Sequence, residues 1–543
     1  MIHVWATSKR SRMLVAATVL ESISLALLVT VPGVQAQSLY VSNSEASSIS
    51  VIDTATNAVV GSPITVGLGP RGIAITPGGS KAYVANTGTD GISVIDTKAN
   101  ATVGSPIPTG IGAEFVAITP DGRHAYVSNP SSEGSVSVID TATDSTVGVP
   151  IPVGDYPGGI AITPDGSRAY VTNQLAGTVS VIDTATNTLT GAPIPVGGTN
   201  PFGIAITPDG TRAYVSNTGS ESVSVIDTAT NAVVGSPITV EHLPGLMGIT
   251  PDGSRVYVSN NGSATVSVID IATNQTVGEP IAVGNSPNQV AISPDGSRAY
   301  VANFNSDNVS VINTNTNKSF ASIPVGKNPI GAALVPDQPP QTSLTGAVTR
   351  NVARLDGGAS TDPDGAVSTY AWDFGDGSGI TGSASSTTHT YRAGHMFTAR
   401  VTTTDDQGCS TRLVFTGQTA TCNGSAVANA SVLLGTLGFG RLKHNSRRGT
   451  AKLAVRVPGP GTLKVSGKGL VRHNASEVSP STLRLPIKVK GKFRRRLRRT
   501  GRARVSLRFL FTPDGGISTR ATRRVELLQR VTRRRSGTAG AGR

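Results

Sequence analysis

Along most of the chain, apolar positions alternate with small polar ones. In Gly177-Thr178-Val179-Ser180-Val181-Ile182-Asp183, Val179 and Val181 fall on one face and Thr178 and Ser180 on the other, the period of two of a half-buried strand. Such runs return with breakers between them. Gly203 to Thr207 is a small apolar strand ending at Pro208-Asp209-Gly210, where proline presets φ and glycine accepts a positive φ. Ala213 to Ser216 and Val223 to Ile226 follow, then the turn Asp227-Thr228-Ala229-Thr230-Asn231 and a fourth strand from Ala232 to Ile238. The whole unit repeats. Tyr40, Tyr83, Tyr126, Tyr170, Tyr214, Tyr257 and Tyr300 open the same tetrapeptide at spacings of 43, 43, 44, 44, 43 and 43 residues. Four antiparallel strands at this period predict the blades of a β-propeller, because one small sheet buries both faces only when neighbours stack on it.

The two ends predict how the ring closes. The first copy begins at Tyr40 without a preceding apolar strand, whereas the last ends in Gly331-Ala332-Ala333-Leu334-Val335 with no tetrapeptide after it. Residues 330–335 are therefore expected to be the innermost strand of the blade that residues 38–67 begin, which completes seven blades. The motifs Y-V-[SAT]-N, V-I-D-T-A-T-N, I-P-V-G-x-x-P and T-P-D-G resemble those of the YVTN family of seven-bladed propellers, found in extracytoplasmic and surface-layer proteins of bacteria and archaea. A second resemblance follows Pro339 and Pro340. Asp362-Pro363-Asp364-Gly365, Tyr370-Ala371-Trp372-Asp373-Phe374-Gly375-Asp376-Gly377, His389-Thr390-Tyr391 and Val401 to Asp405 are similar to the polycystic-kidney-disease (PKD) domain, an Ig-like β-sandwich. Trp372 and Phe374 are expected to point inward. Asp362, Asp364, Asp373 and Asp376 suit turn capping better than a calcium site.

The expected fold is thus all-β, a seven-bladed β-propeller at 37–337, an Ig-like (PKD) β-sandwich at 338–424 and a small basic β-sandwich at 425–530. The last of these resembles the Lys/Arg-rich Ig-like modules that end some secreted actinobacterial proteins. A signal peptide at 1–36 precedes them and a disordered basic tail at 531–543 follows. Composition agrees: of 543 residues 63 are Gly and 33 Pro, and charged residues are 15%, which excludes a coiled coil. In the signal, Lys9, Arg10 and Arg12 precede the apolar stretch Met13 to Val31, and Val34-Gln35-Ala36 supplies a cleavage site. Glu21 interrupts the stretch and argues against an uncleaved anchor, so no membrane span is expected after cleavage. Cys409 and Cys422, the two cysteines, are expected to form a disulfide in an oxidising exterior.

Charge divides the chain. Residues 37–337 hold 10 basic and 22 acidic side chains, a net of −12, and residues 425–543 hold 29 and 3, a net of +26. Such an imbalance points to a polyanionic partner, an anionic cell-envelope polymer. Arg494, Arg495, Arg496, Arg498 and Arg499 are its densest candidates, on a short helix stopped by Gly501. Phe509 and Phe511 are expected to alternate into the core, so sequence-specific nucleic-acid readout is not expected.

Catalytic chemistry is not evident in the propeller. The residues one past the loop proline, or its equivalent, are Arg71, Glu114, Gly158, Phe202, Gly245, Asn288 and Ile330, which form neither a metal-ligand ring nor a nucleophile–base set. No cofactor and no metal are expected. Asp53, Asp96, Asp140, Asp183, Asp227 and Asp270, with Asn313 seventh, precede the same turn in every copy and read as turn-capping residues. The variable loops carry Arg71, Glu114, Phe115, Tyr156, Phe202, His242, Asn288 and Lys327, the candidates for binding an extracellular protein or glycan. The expected function is a secreted, non-catalytic recognition or surface-structure protein associated with the cell envelope. A lactonase-like propeller hydrolase is the alternative.

Overall fold

The computed structural model describes residues 37–531 apart from 90, 111, 337, 339, 363–365, 406–412, 416–419, 423–426, 472 and 476–479. Seven sheets of four or five strands follow one another in chain order. In each, an inner strand such as Pro201–Ile206 pairs with Arg212–Asn217, which pairs with Ser222–Asp227 and then with the outer edge. The ring closes as the termini predict. Pro329–Leu334 lies antiparallel to Ser38–Asn43, with Leu39 opposite Leu334 and Tyr40 opposite Ala333. Gln37 Nε2 donates to the Val335 carbonyl across the same seam.

The outer edge departs from expectation. Instead of one strand from Ala232 to Ile238, the chain forms Ala232–Val233 and Ile238–Thr239. Gly235 turns to φ +70° there and Pro237 has no N–H for the ladder, while the outer strands of three other blades, Ala101–Pro108, Ser145–Pro152 and Lys318–Pro324, run unbroken.

Between blades, each interface has its own apolar cluster. Ala161 and Tyr170 of one blade meet Ile204, Ile206 and Val215 of the next. The Tyr170 ring is fully buried, and its hydroxyl donates to Asn231 Oδ1 at 2.6 Å, with the Thr228 carbonyl 3.2 Å away. Tyr126 reaches Asn187, Tyr214 reaches Asn274 and Tyr257 reaches Asn317 in the same way. Tyr83 reaches Asp144, and Tyr40 reaches Asn100. At the seam Arg298 Nη1 donates to the Thr54 carbonyl at 2.5 Å. The accepting turn residues all sit in the left-handed region, as Asn231 does at φ +53°, a conformation that asparagine tolerates. The preceding aspartates cap the turn as expected: Asp227 Oδ1 accepts from the amides of Ala229 and Thr230.

After the propeller, Val348, Leu355, Trp372, Phe374, Tyr391 and Val401 form the core of the sandwich. The expected boundary at 424/425 falls within one sheet of this sandwich. Val427–Gly435 pairs with Met396–Asp405 over nine residue pairs, and Thr519–Leu528 joins Thr345–Thr349 in the opposite sheet. The second sandwich places the sheet Gly438–Asn445, Thr450–Val457 and Ser481–Ile487 over Gly461–Ser466, Arg502–Pro513 and Thr519–Leu528. Phe509 and Phe511 are buried in its core. The helix Gly491–Thr500 ends as expected, Gly501 at φ +72° donating to the Leu497 carbonyl. Asp373 and Asp376 accept from the amides of Gly375 and Ser378, which fits turn capping. Asp364 and Cys409 lie outside the described residues, and with Cys409 the expected disulfide. The basic tail expected at 531–543 lies outside them from residue 532 onward.

Two measurements check the interblade bond. Tyr170→Phe removes one hydroxyl and leaves the amide carbonyl of Asn231 to water or nothing. The propeller is expected to lose about 1–2 kcal/mol in urea unfolding, while Tyr156→Phe, at an exposed tyrosine, stays within about 0.5 kcal/mol. Burial raises the phenol pKa of all seven repeat tyrosines. A raised folded-state pKa contributes stability that is complete below the unfolded value, about 10, and is lost as pH rises beyond it. Phenolate absorbance above pH 10 should therefore appear together with loss of β circular dichroism. Ionisation of these tyrosines in a still-folded propeller would contradict this.

Candidate functional site

The loops that vary between copies meet at one end of the propeller axis. There they enclose a pocket of about 470 Å³ to which every blade contributes. Arg71, Phe115, Phe202, Asn288 and Ile330 come from the starts of inner strands, and Gln174, Thr218, Asn261 and Phe304 from the position just after each Y-V-x-N. Inner strands bring the first group to the axis, and all but Val116–Ile118 open at the proline that ends a variable loop.

Two contacts shape the floor and wall. Phe115 and Phe202 meet edge to face, with ring centroids 5.6 Å apart, although they stand two blades apart. The intervening blade has Gly158 and Gly159 in the equivalent places, and a Cβ on Gly159 would lie 2.8 Å from the Phe202 carbonyl oxygen. Arg71 Nη1 pairs with Glu114 Oε1 at 2.5 Å. Burial raises the Glu114 carboxyl above its ordinary pKa, and the Arg71 charge offsets only part of that rise.

The structure brings together four of the eight candidates, Arg71, Phe115, Phe202 and Asn288, in the lining. Glu114 lies just behind it, held by Arg71. The other three do not line the pocket. His242 Nδ1 is 2.6 Å from Glu221 Oε1 on the rim, and Lys327 Nζ is 2.6 Å from Asp307 Oδ2, a bond that holds the Asp307 carboxyl below its usual range. Tyr156 is 43% exposed. The lining also contains Gln174, Asn200, Asn261 and Asn305, carboxamides that reading loop by loop passes over. For Gln174 and Asn261 the signal is positional: each directly follows a Y-V-x-N asparagine, as Thr218 and Phe304 of the lining also do. Among the lining residues Arg71 is the charged one, and among the described residues no group of three or more His, Cys, Asp or Glu is placed to hold a metal ion.

In the basic module the five helix arginines Arg494, Arg495, Arg496, Arg498 and Arg499 are exposed, while Leu497 is buried. Among the described residues no helix is long and apolar enough to cross a membrane.

Family models match two segments. Residues 232–321 match the lactonase seven-bladed β-propeller model, and residues 337–419 match the PKD domain model. The chain is a seven-bladed β-propeller followed by a PKD domain. Among solved structures, a functionally unknown protein of Desulfotomaculum acetoxidans is 22% identical, covers 55% of this chain and 99% of its own, and superposes with a TM-score of 0.50. Hydrazine synthase of Kuenenia stuttgartiensis, 25% identical, covers 54% and 98% with a TM-score of 0.48. The periplasmic gluconolactonase of Pseudomonas aeruginosa, 22% identical, covers 55% and 99% with a TM-score of 0.47. No curated protein matches the chain. At these identities the propeller likeness concerns the fold.

Arg71→Met tests the buried pair. It leaves Glu114 buried without its cation, and stability is expected to fall by about 3 kcal/mol at pH 7. An unpaired buried carboxyl has a raised folded-state pKa, so the deficit should shrink as pH falls from 7 towards 4. Thermal melts across that range read it; a deficit independent of pH would show that the carboxylate is not the cause.

Proposed function

We propose that the protein is a secreted, non-catalytic recognition protein whose propeller pocket binds a small polyhydroxylated ligand of the glycan class and whose basic module keeps it on an anionic cell envelope. The observation that supports the pocket reading is its lining. Gln174, Asn200, Asn261, Asn288 and Asn305 each offer both a donor and an acceptor, as a sugar hydroxyl does. Phe202, backed by the buried Phe115, and Phe304 supply apolar faces for the C–H side of a sugar ring. The lining's one charge, Arg71, is partly neutralised by Glu114, which suits a neutral ligand and leaves no acid–base pair within the pocket. Export rests on the signal-like residues 1–36, and retention on the net charge of +26 over residues 425–543.

The lactonase match over residues 232–321 favours a second reading, hydrolysis of a sugar lactone with Glu114 as the acid–base group. Calorimetric titration with mono- and disaccharides, beside a turnover screen with sugar lactones, separates the two. Recognition predicts saccharide binding without turnover, and Asn288→Ala and Phe202→Ala should each weaken it about tenfold, which corresponds to roughly 1.4 kcal/mol. Lactone turnover abolished by Glu114→Gln, without saccharide binding, would establish the hydrolase instead.

A further inference from the structure

We propose that the exposed face of the seven-stranded sheet shared by the PKD domain and the basic module is the docking surface for a linear sugar- or polyol-phosphate polymer. This deepens the retention reading and rests on it.

The register of three strands fixes the charge pattern. On Arg502–Pro513, Arg504, Ser506 and Arg508 are exposed while Ala503, Val505, Leu507 and Phe509 are buried. On Thr519–Leu528, Arg520, Thr522 and Arg524 share that exposed face. Arg508 stands opposite Thr522, so Arg520 and Arg524 are its two diagonal neighbours, and Ser506 stands opposite Arg524. On the other side Ser466 faces Arg508, and Lys464 faces Leu510, which makes Lys464 a further diagonal neighbour of Arg508. Diagonal neighbours in an antiparallel sheet lie about 7–8 Å apart. Lys464, Arg508, Arg520 and Arg524 thus form a lattice of cations at near-constant spacing, with serine and threonine hydroxyls between them.

Nothing on these strands neutralises the lattice. Their one acidic residue, Glu526, pairs with Arg504 at 3.3 Å. Four cations held at this spacing by adjoining ladders of ten and six pairs repel one another, and a chain of anions with a similar repeat relieves that repulsion. The chemistry of the face selects the kind of chain. Hydroxyl donors beside guanidinium groups suit phosphate oxygens, and the strands' aromatic residues, Phe509 and Phe511, are buried, so the face offers no ring on which bases could stack. That favours a phosphodiester polymer without bases. The helix arginines Arg494 to Arg499 add attraction, but they radiate from a single turn-and-a-half around Leu497 and present no flat repeat.

The test uses the full chain, glycerol-phosphate polymer as probe, and salt titration of binding. The quadruple variant Lys464→Gln, Arg508→Gln, Arg520→Gln and Arg524→Gln is expected to lower the slope of log K against log salt by about 3 and affinity at 0.1 M salt by at least tenfold. The loss should exceed that of the quintuple glutamine variant of the helix, although the helix variant removes more charge. Thr522→Asp, one exposed substitution at the lattice centre, should weaken binding without changing the fold seen by circular dichroism. A sheet variant that binds normally, or a helix variant that loses more, would overturn the assignment of the face while leaving retention standing. Single-stranded DNA binding as tightly as the glycerol-phosphate polymer would overturn the choice of partner. Absence of polymer binding by the unmodified protein at low salt would remove the retention reading itself.

Discussion

A tyrosine hydroxyl handed from one blade to the turn of the next, at six of the seven interfaces, is the interaction on which the propeller depends. The ring of Tyr170 fills the space between two sheets, and a buried hydroxyl there needs an acceptor. The acceptors come from the turn of the neighbouring blade, a side-chain oxygen and a turn carbonyl that lies outside the strand ladders. Asn231 provides the side-chain oxygen by taking a left-handed turn conformation, and Asp227 holds that turn by accepting its amides. Thus Y-V-x-N and D-T-A-T-N are two halves of one contact, and neither can drift without the other. This is a physical reason for their near-constancy across seven copies, and it confines variation to the loops at the other end of each blade.

That division explains what could be read from the residues and what could not. Strand period, repeat spacing and the unequal ends carry enough information to place Pro329–Leu334 beside Ser38–Asn43, since an apolar strand without a blade and a blade without an inner strand have one joint solution. The site is less legible. Arg71 and Asn288 were accessible because they follow the loop proline, a backbone landmark. Tyr156, His242 and Lys327 have the same chemical interest, yet their side chains are directed by local partners, such as Glu221 for His242 and Asp307 for Lys327, that sequence distance does not reveal. The domain boundary misled for a different reason. Composition changes near residue 425, whereas hydrogen bonding does not: Val427–Gly435 completes a sheet of the sandwich before it.

Charge is handled in opposite ways at the two ends of the chain. Around the propeller pocket the cations have nearby carboxylates: Arg71 with Glu114 and Lys327 with Asp307. Pairing of this kind fixes side-chain geometry while weakening long-range attraction, which leaves recognition to short-range hydrogen bonds and contacts. On the sheet face beyond, Arg508, Arg520 and Arg524 stand among hydroxyls, and attraction there acts over about a Debye length, ~10 Å at 0.1 M salt.

The shared sheets connect these two modes. Because Thr345–Thr349 pairs in parallel with Thr519–Leu528, and Val427–Gly435 pairs in parallel with Gly516–Ile517, the basic module is joined to the PKD domain by backbone hydrogen bonds in both layers. Each of these parallel junctions is short, two residue pairs in register, but Val427–Gly435 also runs antiparallel along Met396–Asp405 for nine. A polymer held on the cationic face would therefore bear on a surface continuous with the PKD domain, without a flexible linker between charge and sandwich. Cations mounted on a flexible arm would adapt to any polyanion; cations mounted on a continuous sheet keep their spacing, and fixed spacing turns simple attraction into selection among polymers.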